Sequence, residues 1–346
     1  MLLEKTDLSL ALSDRAFKYI YHQQRQRLYD LAIAAFEERL PTIVVFEGWD
    51  AAGKGTIIRY LTRRLDPRGF KVVSTQAPQS HELMMPWLWR FWMQLPRRGQ
   101  MAIFDRSWYG RVMIERVEQL TPIPDWIRAY EEINQFERTL ADDNTLIVKF
   151  WLHISEVEQL RRFSLLAQDP ARAWEVTAED WERHRKYDAY LAAVRDMLNN
   201  TSTDYAPWTV IPATDPNYRL YAVLRTIING IEAALGERPT SWASVDKLEE
   251  EAREATEGKA ARKARKKQKK SAPAGNEYDD YDDDDADDAD DADDADDADD
   301  ADDADDGDDA DNGDDNTNGA REGGDNGNAV VQIDLVHEAN LAEPEE

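Results

Sequence analysis

Five short stretches of the chain are rich in apolar and β-branched residues, most of them nearly continuously apolar: TIVVFE at 42–47, FKVVST at 70–75, MAIFD at 101–105, TLIVKFWL at 145–152 and WTVIPA at 208–213. Continuous rather than alternating apolarity predicts strands covered on both faces, and helical patterns lie between them. That alternation predicts an α/β fold with a five-stranded parallel sheet, in a domain spanning 41–240. Ahead of it, residues 14–39 carry Phe17, Ile20, Tyr21, Leu28, Leu31 and Phe36 at near-helical spacing, so that 1–40 reads as a helical segment packing on the core. A last amphipathic helix is expected at 215–235. Between the fourth and fifth strands, 155–200 reads as two helices joined by AQDPARAWEVTAED. Asp169-Pro170 breaks the first, and Thr177 with Asp180 makes a capping-box-like start for the second. This insertion is either a helical lid or a hairpin that merely packs. The run MMPWLWRFWMQLP at 84–96 is too apolar for a surface and predicts core rather than a base-stacking platform.

Charge divides the chain sharply. Residues 1–250 hold 32 Lys or Arg against 35 Asp or Glu, whereas 251–346 hold 10 against 36, so nearly all of the net −29 belongs to the C-terminal part. All 11 Trp and all 9 Phe precede residue 250, which leaves 250–346 almost nothing to bury and predicts a disordered acidic tail. Within it lie a basic block at 259–270, DDA repeats at 278–305 and an apolar island at 329–341, read mainly as a solvated spacer. The chain has no cysteine, which excludes disulfides, zinc–thiolate sites and thiol catalysis. With no leader pattern and no run of 18 apolar residues, a cytoplasmic protein without a membrane partner is expected.

The chemistry concentrates where the first strand meets GWDAAGKGT. Gly48, four residues, Gly53 and Lys54 fit the opening of a phosphate-binding loop, with a strand before it and a helix after it. Backbone N–H groups and the helix N-terminus would then surround a phosphate chain, with Lys54 reaching the phosphoryl group in flight. The loop departs from the common pattern at Gly55, where Ser or Thr usually meets magnesium, and Thr56 follows one place later. It also carries Asp50, an anion that a polyphosphate would repel unless a divalent cation lay between them, although a helix-capping role is also possible. Asp105 ends the third strand as a second metal ligand or as a cap for the next helix. After it, Arg106, Arg111 and Arg116 bring three guanidinium groups suited to charge on transferring phosphoryl oxygens, and Glu115 among them is a candidate to position metal or acceptor. Arg161 and Arg162 on one inserted helix and Lys186 on the other are candidates to grip a polyanion, or are ordinary solvated faces.

Taken together, GWDAAGKG, the PWLWRFW segment ending in LP, and FDRSWYGR followed by Glu115-Arg116-Val117 resemble the polyphosphate kinase type 2 family over about residues 14–236. The resemblance implies a three-layer α/β/α sandwich of the P-loop kinase type, similar to thymidylate kinases, with a helical lid. It also implies phosphoryl transfer between inorganic polyphosphate and a nucleoside mono- or diphosphate with Mg2+ or Mn2+, by a chain expected to form a homo-oligomer. On it, Gly48, Gly53, Lys54 and Gly55 hold the polyphosphate end, Asp50 and Asp105 place the metal, and Arg106 and Arg111 hold phosphates. Trp49 and Thr56, where Arg and Gly are frequent, look more like the AMP-phosphorylating branch, with ADP or GDP as other acceptors. The rival readings are a nucleoside monophosphate kinase using ATP, against which Asp50 argues, and an inactive scaffold whose acidic tail binds basic partners. Nucleic acid is not an expected partner, because the acidic tail competes for the lysines beside it.

Overall fold

A computed structural model of the protein describes residues 2–271. All five expected strands are present: β1 (Thr42–Gly48), β2 (Phe70–Ser74), β3 (Met101–Asp105), β4 (Leu146–His153) and β5 (Trp208–Pro212). They form one parallel sheet in the order β2-β3-β1-β4-β5. β1 is the central strand, with Ile43 through Phe46 fully buried. Its neighbours come later in the chain on both sides, which opens a crevice beyond its carboxyl end, the usual place for a ligand in such sheets.

The helices are α1 (Asp14–Glu37), α2 (Lys54–Thr62), α3 (Trp89–Trp92), α4 (Ile114–Val117), α5 (Ile123–Asp142), α6 (Glu156–Gln168), α7 (Ala178–Arg185), α8 (Tyr187–Thr201), α9 (Pro216–Leu235) and α10 (Val245–Ser271). β4 shows how they are layered. Leu146 and Val148 lie against Gly230 of α9, while Lys149, on the opposite face, reaches Glu137 of α5. Helices thus cover both faces, giving three α/β/α layers, and α1 packs outside α9, with Gln24 Nε2 donating to Tyr221 O at 3.1 Å. Ser13 caps α1 by accepting from Ala16 N, and the capping box at α7 is complete, since the Asp180 carboxylate accepts from Thr177 N at 2.7 Å. No described helix is long and apolar enough to cross a membrane.

Three expectations are corrected. The second inserted helix is two, α7 and α8, divided at Lys186, and α8 buries Ala193, Val194, Met197 and Leu198, so it belongs to the core. The aromatic run 84–96 is only partly core: Phe91 is buried and Trp92 meets Phe136 edge-on, yet Met84 is 84 % and Met93 61 % exposed. Short turns hold this run across α5, so its residues cannot all face inward. The basic block 259–270 lies on α10, whose Leu248 and Ala252 are buried and whose Glu249 accepts from Ser13 N and Oγ, so ordered chain continues past 250. The DDA repeats and the apolar island lie outside the described residues.

Lys149 interrupts an otherwise apolar strand and is wholly buried. Its ammonium donates to Glu137 Oε2 (2.7 Å), Tyr109 Oη (2.8 Å) and Thr201 O (2.8 Å), using all three of its protons. Glu137 in turn accepts from Tyr109 Oη at 2.6 Å and Trp108 Nε1 at 3.1 Å. Burial pushes the Glu137 carboxyl up and the Lys149 ammonium down, and their mutual attraction opposes both. Removing one partner strands the other charge in a dry interior. Glu137→Leu should therefore cost about 3–5 kcal/mol in denaturant unfolding, and adding Lys149→Met should restore part of that loss. A double variant less stable than Glu137→Leu alone would refute the pairing.

Candidate functional site

The phosphate-loop motif sits at the carboxyl end of β1, and each of its two spaced glycines answers a different constraint. Gly48 is paired in register with Leu152 of β4, and a Cβ there would stand 2.7 Å from the Leu152 Cβ. Gly53 has φ +92°, a left-handed backbone that only glycine adopts freely, and the Arg219 guanidinium of α9 fills the space its side chain would need. Ala51 takes φ +58°, an uncommon conformation for a residue with a side chain and one that clusters at functional sites. Gly55 and Thr56 lie in the first turns of α2 with Thr56 buried, and Lys54 Nζ folds back onto Trp49 O at 3.1 Å.

Asp50 lies between two guanidinium groups, Arg106 Nη2 at 2.8 Å and Arg183 Nη1 at 3.4 Å. Burial raises its pKa, but the charges of Arg106, Lys54 and Arg183 outweigh this and hold it below the ordinary carboxylate value. Arg106 is held charged, first by Asp50 and, against burial, by Asp105 and Glu47. Arg106 turns with φ +58° and its N–H donates to Phe46 O at 3.0 Å, which anchors the chain as it leaves β3 beside β1. Asp105, the last residue of β3, is level with Phe46. Among the described residues no three acidic or histidine side chains form a metal cage. Asp50 in the loop after β1 and Asp105 at the end of the neighbouring β3 are hard oxygen donors of the kind a magnesium ion takes, one or two carboxylates with phosphate oxygens and water completing its shell.

Other candidates lie elsewhere. Arg111 stacks on Trp87 at 4.9 Å and pairs with Glu115 at 2.7 Å, and Thr121 joins both. Arg116 is bound to Asp196 and Tyr130, an ion pair with a half-exposed acid. Arg161 pairs with Glu158 and is 57 % exposed, while Lys186 pairs with Glu118. Arg162 reaches the loop, but through the backbone: it donates to Ala51 O at 2.8 Å and to Ala213 O and Thr214 O.

Two site residues escaped the sequence reading. Arg183 stands in the basic run ERHRK, where nothing in the spacing distinguishes the one cation that reaches the loop. Glu47 is 3 % exposed and accepts from Ser107 Oγ at 2.8 Å. Burial pushes its carboxyl up to about 7 against the opposing pull of Ser107, Lys54 and Arg106. An acid ending a buried strand just before a glycine loop was the available signal. Trp49, the loop's unusual residue, stacks on Tyr187 at 4.0 Å and donates from Nε1 to His153 Nδ1 at 3.1 Å. Burial pushes His153 down to about 4, so its imidazole is neutral and can accept that bond.

The profile of the polyphosphate kinase 2 (PPK2) family matches residues 11–239. The chain is 44 % identical over 233 residues to a polyphosphate:AMP phosphotransferase of Pseudomonas aeruginosa, covering 67 % of this chain and 47 % of that protein. It is 35 % identical over 229 residues to an AMP/ADP-polyphosphate phosphotransferase of Meiothermus ruber, covering 66 % and 85 %. The chain thus spans about half the length of the Pseudomonas relative. Among solved structures, polyphosphate kinase 2 from Arthrobacter aurescens superposes with a TM-score of 0.65 at 29 % identity, over 70 % of this chain and 89 % of that one. A Pseudomonas aeruginosa structure assigned to polyphosphate kinase 2 gives 0.66 at 43 %, over 68 % and 51 %. With the family profile covering most of the chain, and the loop, the Asp105-Arg106 turn and the sheet order all in place, the chain belongs to the polyphosphate kinase 2 family.

Proposed function

We propose that the chain is a magnesium-dependent phosphotransferase that moves a phosphoryl group between inorganic polyphosphate and a nucleotide, with AMP as the favoured acceptor. The observation that carries this reading is Asp50, an acid within the phosphate loop kept ionised by Arg106, Lys54 and Arg183. An anion there works against a bare polyphosphate and works for one accompanied by metal. In this reading Asp50 and Asp105 would hold the ion, which would supply positive charge against that of the phosphates. The loop N–H groups and Lys54 hold the donor end, and Arg106 and Arg183 neutralise charge on the equatorial oxygens. The acceptor's phosphate oxygen attacks the terminal phosphorus as the bridging P–O bond breaks. That oxygen is already ionised near neutral pH, so no general base is required. The AMP preference draws on the name of the Pseudomonas relative, and the Meiothermus relative, named for AMP and ADP, keeps ADP as a second acceptor.

Purified chain given Mg2+, AMP and long-chain polyphosphate should form ADP, and AMP with ATP alone should give far less. ADP formed only from ATP would overturn the donor assignment. Lys54→Ala and Asp105→Asn should each lower turnover by about a thousandfold with the melting temperature little changed; full activity in either would remove that residue from the site. Glu47 yields a pH test. Its folded pKa of about 7 lies above the ordinary 4.5, so the stability it contributes is complete below about pH 4.5 and is lost as pH rises through 7. The melting temperature of Glu47→Gln should therefore gain on the wild type between pH 5 and 8, and a pH-independent difference between the two would show that Glu47 titrates normally.

A further inference from the structure

The carbonyls of the phosphate loop are gripped one after another by side chains. Lys54 Nζ donates to Gly48 O (3.4 Å) and Trp49 O (3.1 Å), Gln159 Nε2 to Asp50 O (3.1 Å), Arg162 Nη1 to Ala51 O (2.8 Å) and Arg219 Nη1 to Ala52 O (2.6 Å). Apart from the loop's own lysine, the donors come from α6 and α9, more than a hundred residues along the chain. Gln159 is 3 % and Arg219 4 % exposed, so little water is available to replace either bond. In a planar trans peptide the carbonyl and the next N–H point in opposite directions. Holding Asp50 O and Ala52 O therefore fixes the planes of the two peptides that carry the N–H groups of Ala51 and Gly53.

We propose that Gln159 and Arg219 are positioning residues for the phosphoryl donor: they fix the direction of the loop's N–H groups and do not touch the donor themselves. This rests on reading the loop as the donor's cradle. Arg219 and Gly53 form a matched pair, because a Cβ at position 53 would lie 2.0 Å from Arg219 Nη1. Gln159 has a second attachment, its Oε1 lying 2.8 Å from His184 Nδ1, and since its Nε2 already faces Asp50 O the imidazole nitrogen is the donor in that contact. His184 lies on α7 and packs with Phe163 and Trp181, so the amide ties the loop to the inserted helices. The two residues thus act on donor affinity through the loop carbonyls they hold.

The test is calorimetric titration of the full chain with magnesium tripolyphosphate and, separately, with AMP. Gln159→Met keeps length without a donor, and Arg219→Lys keeps charge without the fork. Each should weaken tripolyphosphate binding by about tenfold, the loss of one buried hydrogen bond to the backbone, while AMP binding changes by less than about twofold. Unchanged tripolyphosphate binding in Gln159→Met, or parallel losses for both ligands, would overturn the proposal, and Gln159→Met decides it alone if Arg219→Lys fails to fold. A wild-type chain that binds AMP but no tripolyphosphate would overturn the polyphosphate reading and this proposal with it. Wild-type binding with unaltered variants would overturn only the positioning role.

Discussion

A loop that presents its N–H groups to an anion must send carbonyl groups the other way, into protein where water is scarce. Each such carbonyl needs a donor, and the site is organised around supplying them. The sheet order makes this possible by bringing the start of α2, the start of α6 and the start of α9 to one edge. Arg162 and Arg219 are long enough to reach under the loop from α6 and α9, and the forked guanidinium of Arg162 serves several carbonyls, holding Ala51, Ala213 and Thr214 together. The loop's conformation is thus a property of two distant helices, α6 and α9, as well as of the helix that follows it.

Charge follows from the same packing. Lys54, Arg106 and Arg183 gather positive potential at the mouth, and Asp50 stands among them as an internal counterion. Such a cluster without an anion would carry a large repulsion among its cations. Glu47 eases this from behind, bonded to Ser107, and its raised pKa reflects how little solvent reaches that position. Arg111, by contrast, is occupied by Trp87, Glu115 and Thr121, so it braces the segment after β3.

Much of this was legible in sequence and some was not, for physical reasons. The central strands β1, β3 and β4 were, because burial on both faces leaves a continuous apolar signature, which is weaker in the edge strand β2, where no position is buried; the loop was, because its glycine spacing is local. The Asp180 capping box was readable for the same reason: its partners lie three residues apart. Gln159 and Arg219 carry no local signal, since each gains its meaning from a carbonyl more than a hundred residues away. The 84–96 run misled because apolar content measures what could be buried, whereas short turns decide which side chains actually are. Most of α10 was assigned to the tail because the residues it is seen to bury, Leu248 and Ala252, are few and set among charges, and because the partner of Glu249, Ser13, is distant in sequence.

Behind the site, the Lys149–Glu137 pair explains how a strained turn is kept. The segment leaving β3 places Asp105 and then Arg106 with a positive φ, a conformation that persists only where surrounding contacts enforce it. Trp108 and Tyr109, immediately after it, are both fully buried and both donate to Glu137. Glu137 can accept those bonds as a carboxylate only because Lys149 neutralises it, and Lys149 is fixed by its strand and by Thr201 O. The chain is therefore pinned by Phe46 O on one side of Ser107 and by a buried ion pair on the other. A charge in the middle of an apolar strand, costly in itself, holds the turn that carries Asp105 and the arginine bonded to Asp50.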